Sequence, residues 1–147
     1  MQFTSTFTAL AFAVVAGTFS QVTASPIEAG IVTTEEFLHW LDTTDANITY
    51  VGTPLDRNAP RAAEDVMVTY CSSRTQNVCG GRCTVYNGGS ACLNAPGTKC
   101  LAATANVGFC DRSGCGGSCN QLSTCGTRLD NGFCYTPGTA SIIVPSS

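Results

Sequence analysis

Asp111 and Asp130 are the only carboxylates among residues 66–147, a stretch with no histidine and no glutamate. Two such groups facing each other across a groove can hydrolyse a glycosidic bond, one as acid and one as nucleophile or base. Their settings argue for plainer duties. Asp111 precedes Arg112 in a short segment between cysteines. Asp130 opens Asp130-Asn131-Gly132, where an aspartate accepts hydrogen bonds from its own turn. Turn formation and ion pairing are the expected roles of both. A Ser-His-Asp or Cys-His mechanism has no base here. The chain's one histidine, His39, stands beside Trp40 far upstream, in the position of a partly packed surface side chain. No catalytic residue is assigned, and a non-enzymatic protein is expected.

Thiols are the other reactive groups. All ten cysteines lie between Cys71 and Cys134: Cys71, Cys79, Cys83, Cys92, Cys100, Cys110, Cys115, Cys119, Cys125 and Cys134. Such density marks either metal-bound thiolates or a disulfide scaffold. The sequence has no Cys-x-x-Cys, and its nearest pairs are Cys79-x-x-x-Cys83 and Cys115-x-x-x-Cys119. With no second histidine, mixed zinc patterns are incomplete. No metal and no cofactor are expected. An even count fits five bridges and leaves no thiolate nucleophile. The pairing is open, since ten cysteines allow about 945 complete connectivities.

The N-terminus sets the compartment. Ala9 to Gly17 is an apolar run too short to span a bilayer but long enough for a signal-peptide core. Val22-Thr23-Ala24 offers small residues where signal peptidase cuts, so residues 1–24 are assigned as a signal peptide. No Lys or Arg precedes the run, a departure from the usual pattern. Export implies an oxidising environment and paired thiols. Each bridge contributes ~2–4 kcal/mol, largely by restricting the unfolded chain. For a domain with few large apolar residues, that rivals the net stability of an ordinary fold, ~5–15 kcal/mol.

Two regions of opposite charge follow. Residues 25–65 hold eight carboxylates against Arg57 and Arg61, whereas residues 66–147 hold five cationic side chains against two carboxylates. The acidic part contains one helix signature. Thr33 and Glu36 form a capping box, Val32 and Phe37 a hydrophobic staple, and Phe37, Leu38, Trp40 and Leu41 an apolar face. A helix of about two turns is marginal alone and needs the cysteine region to pack on. Asn47-Ile48-Thr49 is a glycosylation sequon for an exposed loop. Gly52 to Ala63 reads as a linker. Residues 25–65 are therefore a permanent extension or a propeptide masking the basic domain. The lack of a dibasic site favours the extension.

Residues 66–147 read as a small disulfide-rich, mainly β domain of short hairpins, so the fold class is mainly β with one short N-terminal α-helix. One hairpin is expected to join Cys83–Tyr86 to Ser90–Leu93 through Asn87-Gly88-Gly89. A second joins Thr127–Leu129 to Phe133–Tyr135 through Asp130-Asn131-Gly132. Val66–Tyr70 has strand composition, and Ser141–Val144 is a candidate closing strand before Pro145. A weak repeat is present: Cys79-Gly80-Gly81-Arg82-Cys83 parallels Cys115-Gly116-Gly117-Ser118-Cys119. The cysteines split into two fives, and an odd number per half requires at least one bridge between halves.

Cys79–Cys83 through Tyr86-Asn87-Gly88-Gly89, Ala95-Pro96-Gly97-Thr98, Gly108 to Cys115 and Cys125 to Cys134 together resemble fungal small secreted cysteine-rich proteins, most closely those of basidiomycetes. The resemblance covers roughly residues 66–145. It implies an effector-like or defence-related extracellular life, and it brings no catalytic residues.

Other classes are disfavoured. Scattered arginines give too small a footprint for nucleic acid, and no long apolar run or anchor signal supports a membrane partner. The leading expectation is a secreted, monomeric binding protein that presents rigid inter-cysteine loops to an extracellular protein or a cell-wall glycan. Arg128, beside its turn, can offer a basic side chain as an inhibitor loop would. Tyr86, beside Asn87-Gly88-Gly89, can offer an aromatic platform to sugar. The alternatives are an antimicrobial or toxin-type domain released from its acidic segment, and a small hydrolase built on Asp111 and Asp130.

Overall fold

The computed structural model describes residues 30–55 and 65–146. The signal-peptide assignment, and the linker assignment beyond Leu55, fall outside those residues. Helix α1 (Thr34–Thr43) is followed by seven strands: β1 (Asn47–Gly52), β2 (Val66–Thr75), β3 (Val78–Gly88), β4 (Ala91–Ala103), β5 (Gly108–Arg112), β6 (Gly116–Gln121) and β7 (Cys134–Val144). The strands form one sheet in the order β1-β3-β2-β4-β7-β5-β6. Every pairing is antiparallel except β1 with β3. The protein is thus a small disulfide-rich, mainly β fold, with one α-helix among the described residues.

The helix forms where its end signals place it. The Thr33 hydroxyl accepts from the Glu36 amide at 3.0 Å, and the Glu36 carboxylate accepts from the Thr33 amide at 3.0 Å. Phe37 and Trp40 are buried. Phe37 packs with Val32, Met67 and Val85. Trp40 packs with four bridged cysteines and with Phe133, whose ring lies 5.0 Å from it. Ahead of the helix, the chain is stitched to β4: Val32 donates to the Ala103 carbonyl, and Ala103 donates to the Gly30 carbonyl. Residues 30–55 and the cysteine-bearing residues therefore share one sheet and common cores.

The strands are longer than the short hairpins expected, β4 reaching 13 residues. The hairpin expected through Asn87-Gly88-Gly89 does not form, because β2 lies between β3 and β4. The reason is visible in β2 itself. Val66, Met67, Val68 and Thr69 are buried in succession, so both faces need cover and the strand must be central. Asn87 is buried, and its carbonyl accepts from Thr53 at 2.7 Å. The segment after it crosses the end of β2. The true hairpin joins β2 to β3 through Gln76 and Asn77, with Gln76 at φ 55°. Of the second expected hairpin, the turn is present and the strands reduce to a single bridge between Arg128 and Cys134. Ser141–Val144 belongs to β7, which sits between β4 and β5 rather than closing the sheet.

Five bridges use all ten cysteines: Cys71–Cys83, Cys79–Cys100, Cys92–Cys115, Cys110–Cys119 and Cys125–Cys134. Cys92–Cys115 joins the two halves. On one side of the sheet, Val66, Val68, Leu93, Leu101, Ile142 and Val144 close over Val107 and Leu122. On the other, the sulfur-rich cluster meets the helix. Sulfur and aliphatic side chains both supply the interior.

Candidate binding clefts

Asp111 and Asp130 both serve local hydrogen bonding. Asp111 lies on β5, and its Oδ1 accepts from the Ser118 amide at 2.9 Å. Asp130 opens a 3₁₀ turn; its amide donates to the Asn77 carbonyl and its own carbonyl accepts from Phe133. Neither lines any of the three clefts that follow.

Tyr86 is held within the fold. Its hydroxyl donates to the Gly89 carbonyl at 2.7 Å, and its half-buried ring lies against Gly52, where a Cβ would come within 3.0 Å of the ring. The ring supports the end of β3, so the aromatic platform expected at this residue is largely taken up by packing. Arg128 is exposed and lines a cleft of about 460 Å³ between α1 and the 127–135 turn, with Glu35, Glu36, His39 and Asn131. It therefore stands in the wall of a groove beside acidic residues, whereas an inhibitor loop would project it. The pairing of helix and turn was not legible from two segments some ninety residues apart. Asn47 is exposed at the start of edge strand β1 rather than on a loop.

A second cleft, of about 420 Å³, crosses the β1-β3-β2 face and ends against β4. Register builds it. Thr49 pairs with Thr84, and Thr84 pairs with Tyr70, so the three side chains stand in one row across three strands. Two residues along, Arg82 and Ser72 extend the same face. Between them Cys71 and Cys83 turn to the opposite face, where their bridge joins the sulfur-rich cluster and fixes the strands from behind. β4 pairs with β2 only from Val68 to Cys71. Beyond that point β4 bulges through Pro96 and Gly97, the latter at φ 74°. Asn94 and Thr98 complete the wall.

The electrostatics are simple. Among the described residues, Arg82 is the single charged residue in the lining, and no carboxylate accompanies it there. Burial pushes the Tyr70 phenol above its ordinary range, and a hydrogen bond with the Thr84 side chain draws it partly back. The lining otherwise presents hydroxyls and one amide. Such a surface can donate and accept many hydrogen bonds, stack one ring and neutralise one anion. Sequence reasoning missed Tyr70, Arg82, Thr84 and Asn94. The available signal was the alternation of polar residues with bridged cysteines, Tyr70-Cys71-Ser72 and Arg82-Cys83-Thr84, which puts the polar set on one face.

A third cleft, of about 300 Å³, lies by Asn106, Asn120, Gln121 and Ile143, where the Asn106 amide donates to Gln121 at 3.2 Å. Among the described residues, no group of three or more His, Cys, Asp or Glu is arranged to hold a metal ion. No helix among them is long and apolar enough to cross a membrane. Comparisons with protein families, with curated proteins and with solved structures return no match to this chain.

Proposed function

We propose that this is a secreted, non-catalytic binding protein that takes a segment of extracellular glycan in the cleft formed by Thr49, Tyr70, Arg82, Thr84 and Asn94. The single observation that carries this reading is the Thr49–Thr84–Tyr70 row, bounded by Arg82 and fixed from behind by the Cys71–Cys83 bridge. Sugars offer hydroxyls at every position, and a site of hydroxyls and amides can replace their water contacts one for one. The tyrosine ring adds an apolar patch for the sugar face. The cleft volume lies within the range of small-ligand sites, ~300–1,000 Å³. Cross-linked strands reduce the entropy lost on binding.

Arg82 adds a preference. A guanidinium amid hydroxyls, with no carboxylate beside it among the described lining residues, favours a sugar carrying an acid group. An oligogalacturonate should therefore bind more tightly than neutral chitin or β-glucan oligosaccharides. Five bridges without a free thiol suit an oxidising compartment, and the signal-peptide reading of residues 1–24 supports secretion. The resemblance to fungal small secreted proteins agrees. Thr49 comes from the acidic segment, which supports its retention as a permanent part of the protein rather than removal as a propeptide.

Calorimetric titration with oligogalacturonate, chitotetraose and a β-glucan oligosaccharide tests this. Arg82→Ala and Thr84→Val should each weaken oligogalacturonate binding by about tenfold, the usual size of a lost charge-assisted or buried hydrogen bond. Arg128→Ala should leave it unchanged. Binding that survives both cleft variants and disappears with Arg128→Ala would overturn the assignment.

A further inference from the structure

We propose that an N-linked glycan on Asn47 closes the Tyr70–Arg82 cleft against outside ligands. The inference rests on the reading of that cleft as a glycan site, and it comes from the parallel register of the edge strand. Asn47 pairs with Arg82 and Thr49 pairs with Thr84. Residues paired in a sheet point to the same face, and neighbouring strands lie about 4.8 Å apart. Thr49, the third residue of the sequon, is itself in the cleft lining. Asn47 is exposed, two residues along the same strand on the same face. Sugar attached to Asn47 thus begins at the rim, beside Arg82, above a lining suited to sugar hydroxyls.

The modification is an ordinary group transfer. The Asn47 side-chain nitrogen forms a bond to the anomeric carbon of an oligosaccharide carried on a lipid pyrophosphate. The sugar–pyrophosphate bond breaks, the lipid pyrophosphate leaves, and the amide proton passes to a base of the transferring enzyme. The attached chain then competes within the molecule, at a local concentration that a free oligosaccharide rarely matches. The same sugar shields a sheet edge that no other strand covers among the described residues. β1 is the last strand of the sheet, and its Tyr50 and Val51 are 56% and 39% exposed. Two forms of the protein follow: a modified form with the cleft occupied by its own sugar, and an unmodified form with the cleft open.

The test uses the full secreted chain from a glycosylating host and, beside it, the Asn47→Gln variant from the same host, which carries no glycan there and adds no charge beside Arg82. Arginine modification by phenylglyoxal is mapped residue by residue, with Arg128 as internal reference, and oligogalacturonate binding is titrated on both forms. Arg82 should react at least fivefold more slowly in the glycosylated form, with Arg128 unaffected. Oligogalacturonate should bind about tenfold more tightly once the glycan is gone. An intact mass showing no sugar on Asn47, or equal Arg82 reactivity in both forms, overturns the inference. Protection of Arg82 with no oligosaccharide binding by either form upholds it and overturns the proposed function. Equal binding by both forms with Arg82 unprotected does the reverse.

Discussion

Ser72 and Asp111 occupy the same position in two copies of one bulged hairpin. Each follows a bridged cysteine, and each accepts a hydrogen bond from the amide preceding the partner cysteine. The Arg82 amide donates to Ser72 Oγ at 3.2 Å, and the Ser118 amide donates to Asp111 Oδ1 at 2.9 Å. The registers coincide as well: Cys71 faces Cys83 and Ser73 faces Gly80, as Cys110 faces Cys119 and Arg112 faces Gly116. A register shift follows Cys71 in one and Cys110 in the other. The first cysteine of each Cys-Gly-Gly-x-Cys motif instead reaches outward, Cys79 to Cys100 and Cys115 to Cys92. The repeat is thus a structural unit. A serine fills at position 72 the role of the carboxylate at 111, so that role requires no acid chemistry.

This unit makes a prediction about its glycines. Gly81 and Gly117, the second glycine of each motif, hold φ of 85° and 76°. A Cβ at Gly81 would lie 2.8 Å from the Ser73 side chain, and one at Gly117 would strike the Asp111 and Arg112 side chains. At Gly80 a Cβ would meet nothing within 4 Å. Gly81→Ala and Gly117→Ala should each cost about 1.5–3 kcal/mol, combining left-handed strain with the clash. Gly80→Ala should stay within about 0.5 kcal/mol. Urea unfolding with the bridges intact measures all three, and a flat response across the set would contradict the bulge geometry.

The acidic segment is held without covalent help, since all ten cysteines follow residue 70. Its anchors are the β1–β3 pairing, Phe37 and Trp40, and the Gly30 and Val32 bonds to Ala103. Burial of each aromatic stabilises by about 1.5–3 kcal/mol. Cleavage at a protease site placed within residues 56–64 should therefore leave two pieces that co-elute in native buffer. They should separate in denaturant without reductant. Spontaneous separation at micromolar concentration under native conditions would show that α1 and β1 are not integral to the sheet.

Local signals carried the helix, and long-range pairing hid the cleft. Val32, Thr33, Glu36 and Phe37 lie within six consecutive residues, and the capping bonds between Thr33 and Glu36 are wholly local. The Asp130-Asn131-Gly132 turn was equally local. Asn87-Gly88-Gly89 misled because its composition suits a tight turn. The strand that fills the gap, β2, comes from earlier in the sequence, and no local rule announces an inserted neighbour. The cleft depends on three strands in register and on the place where β4 leaves β2. Its residues, Thr49, Tyr70, Arg82 and Asn94, span 45 positions. Their shared face was encoded only in polar residues alternating with cysteines.

Thr69 offers a route to greater stability. It is fully buried, and its hydroxyl finds no hydrogen-bond partner among the described residues. Valine has nearly the same shape and suits a central strand. Removing an unsatisfied buried hydroxyl relieves its desolvation cost, so Thr69→Val should raise stability by about 1 kcal/mol. Thermal unfolding of oxidised protein is the check. A drop comparable to that of an ordinary core substitution would mean that the hydroxyl is bonded after all.

Tyr70 should make the cleft face sensitive to alkali. Burial raises its phenol above the ordinary 10.0, and the Thr84 hydrogen bond offsets part of the rise. The folded protein therefore holds this proton more tightly than the unfolded chain does. The corresponding stability is complete below about pH 10 and disappears as pH climbs through the folded value. Tyr70→Phe removes the titration along with the bond to Thr84. At neutral pH the variant should lose about 1 kcal/mol, yet its stability should fall less steeply than that of the native protein between pH 10 and 11.5. Brief urea unfolding across that range, before alkali attacks the bridges, compares the two slopes. Ultraviolet absorbance follows phenolate formation in parallel. Identical slopes would remove Tyr70 from the alkaline transition and leave its burial without consequence for the cleft.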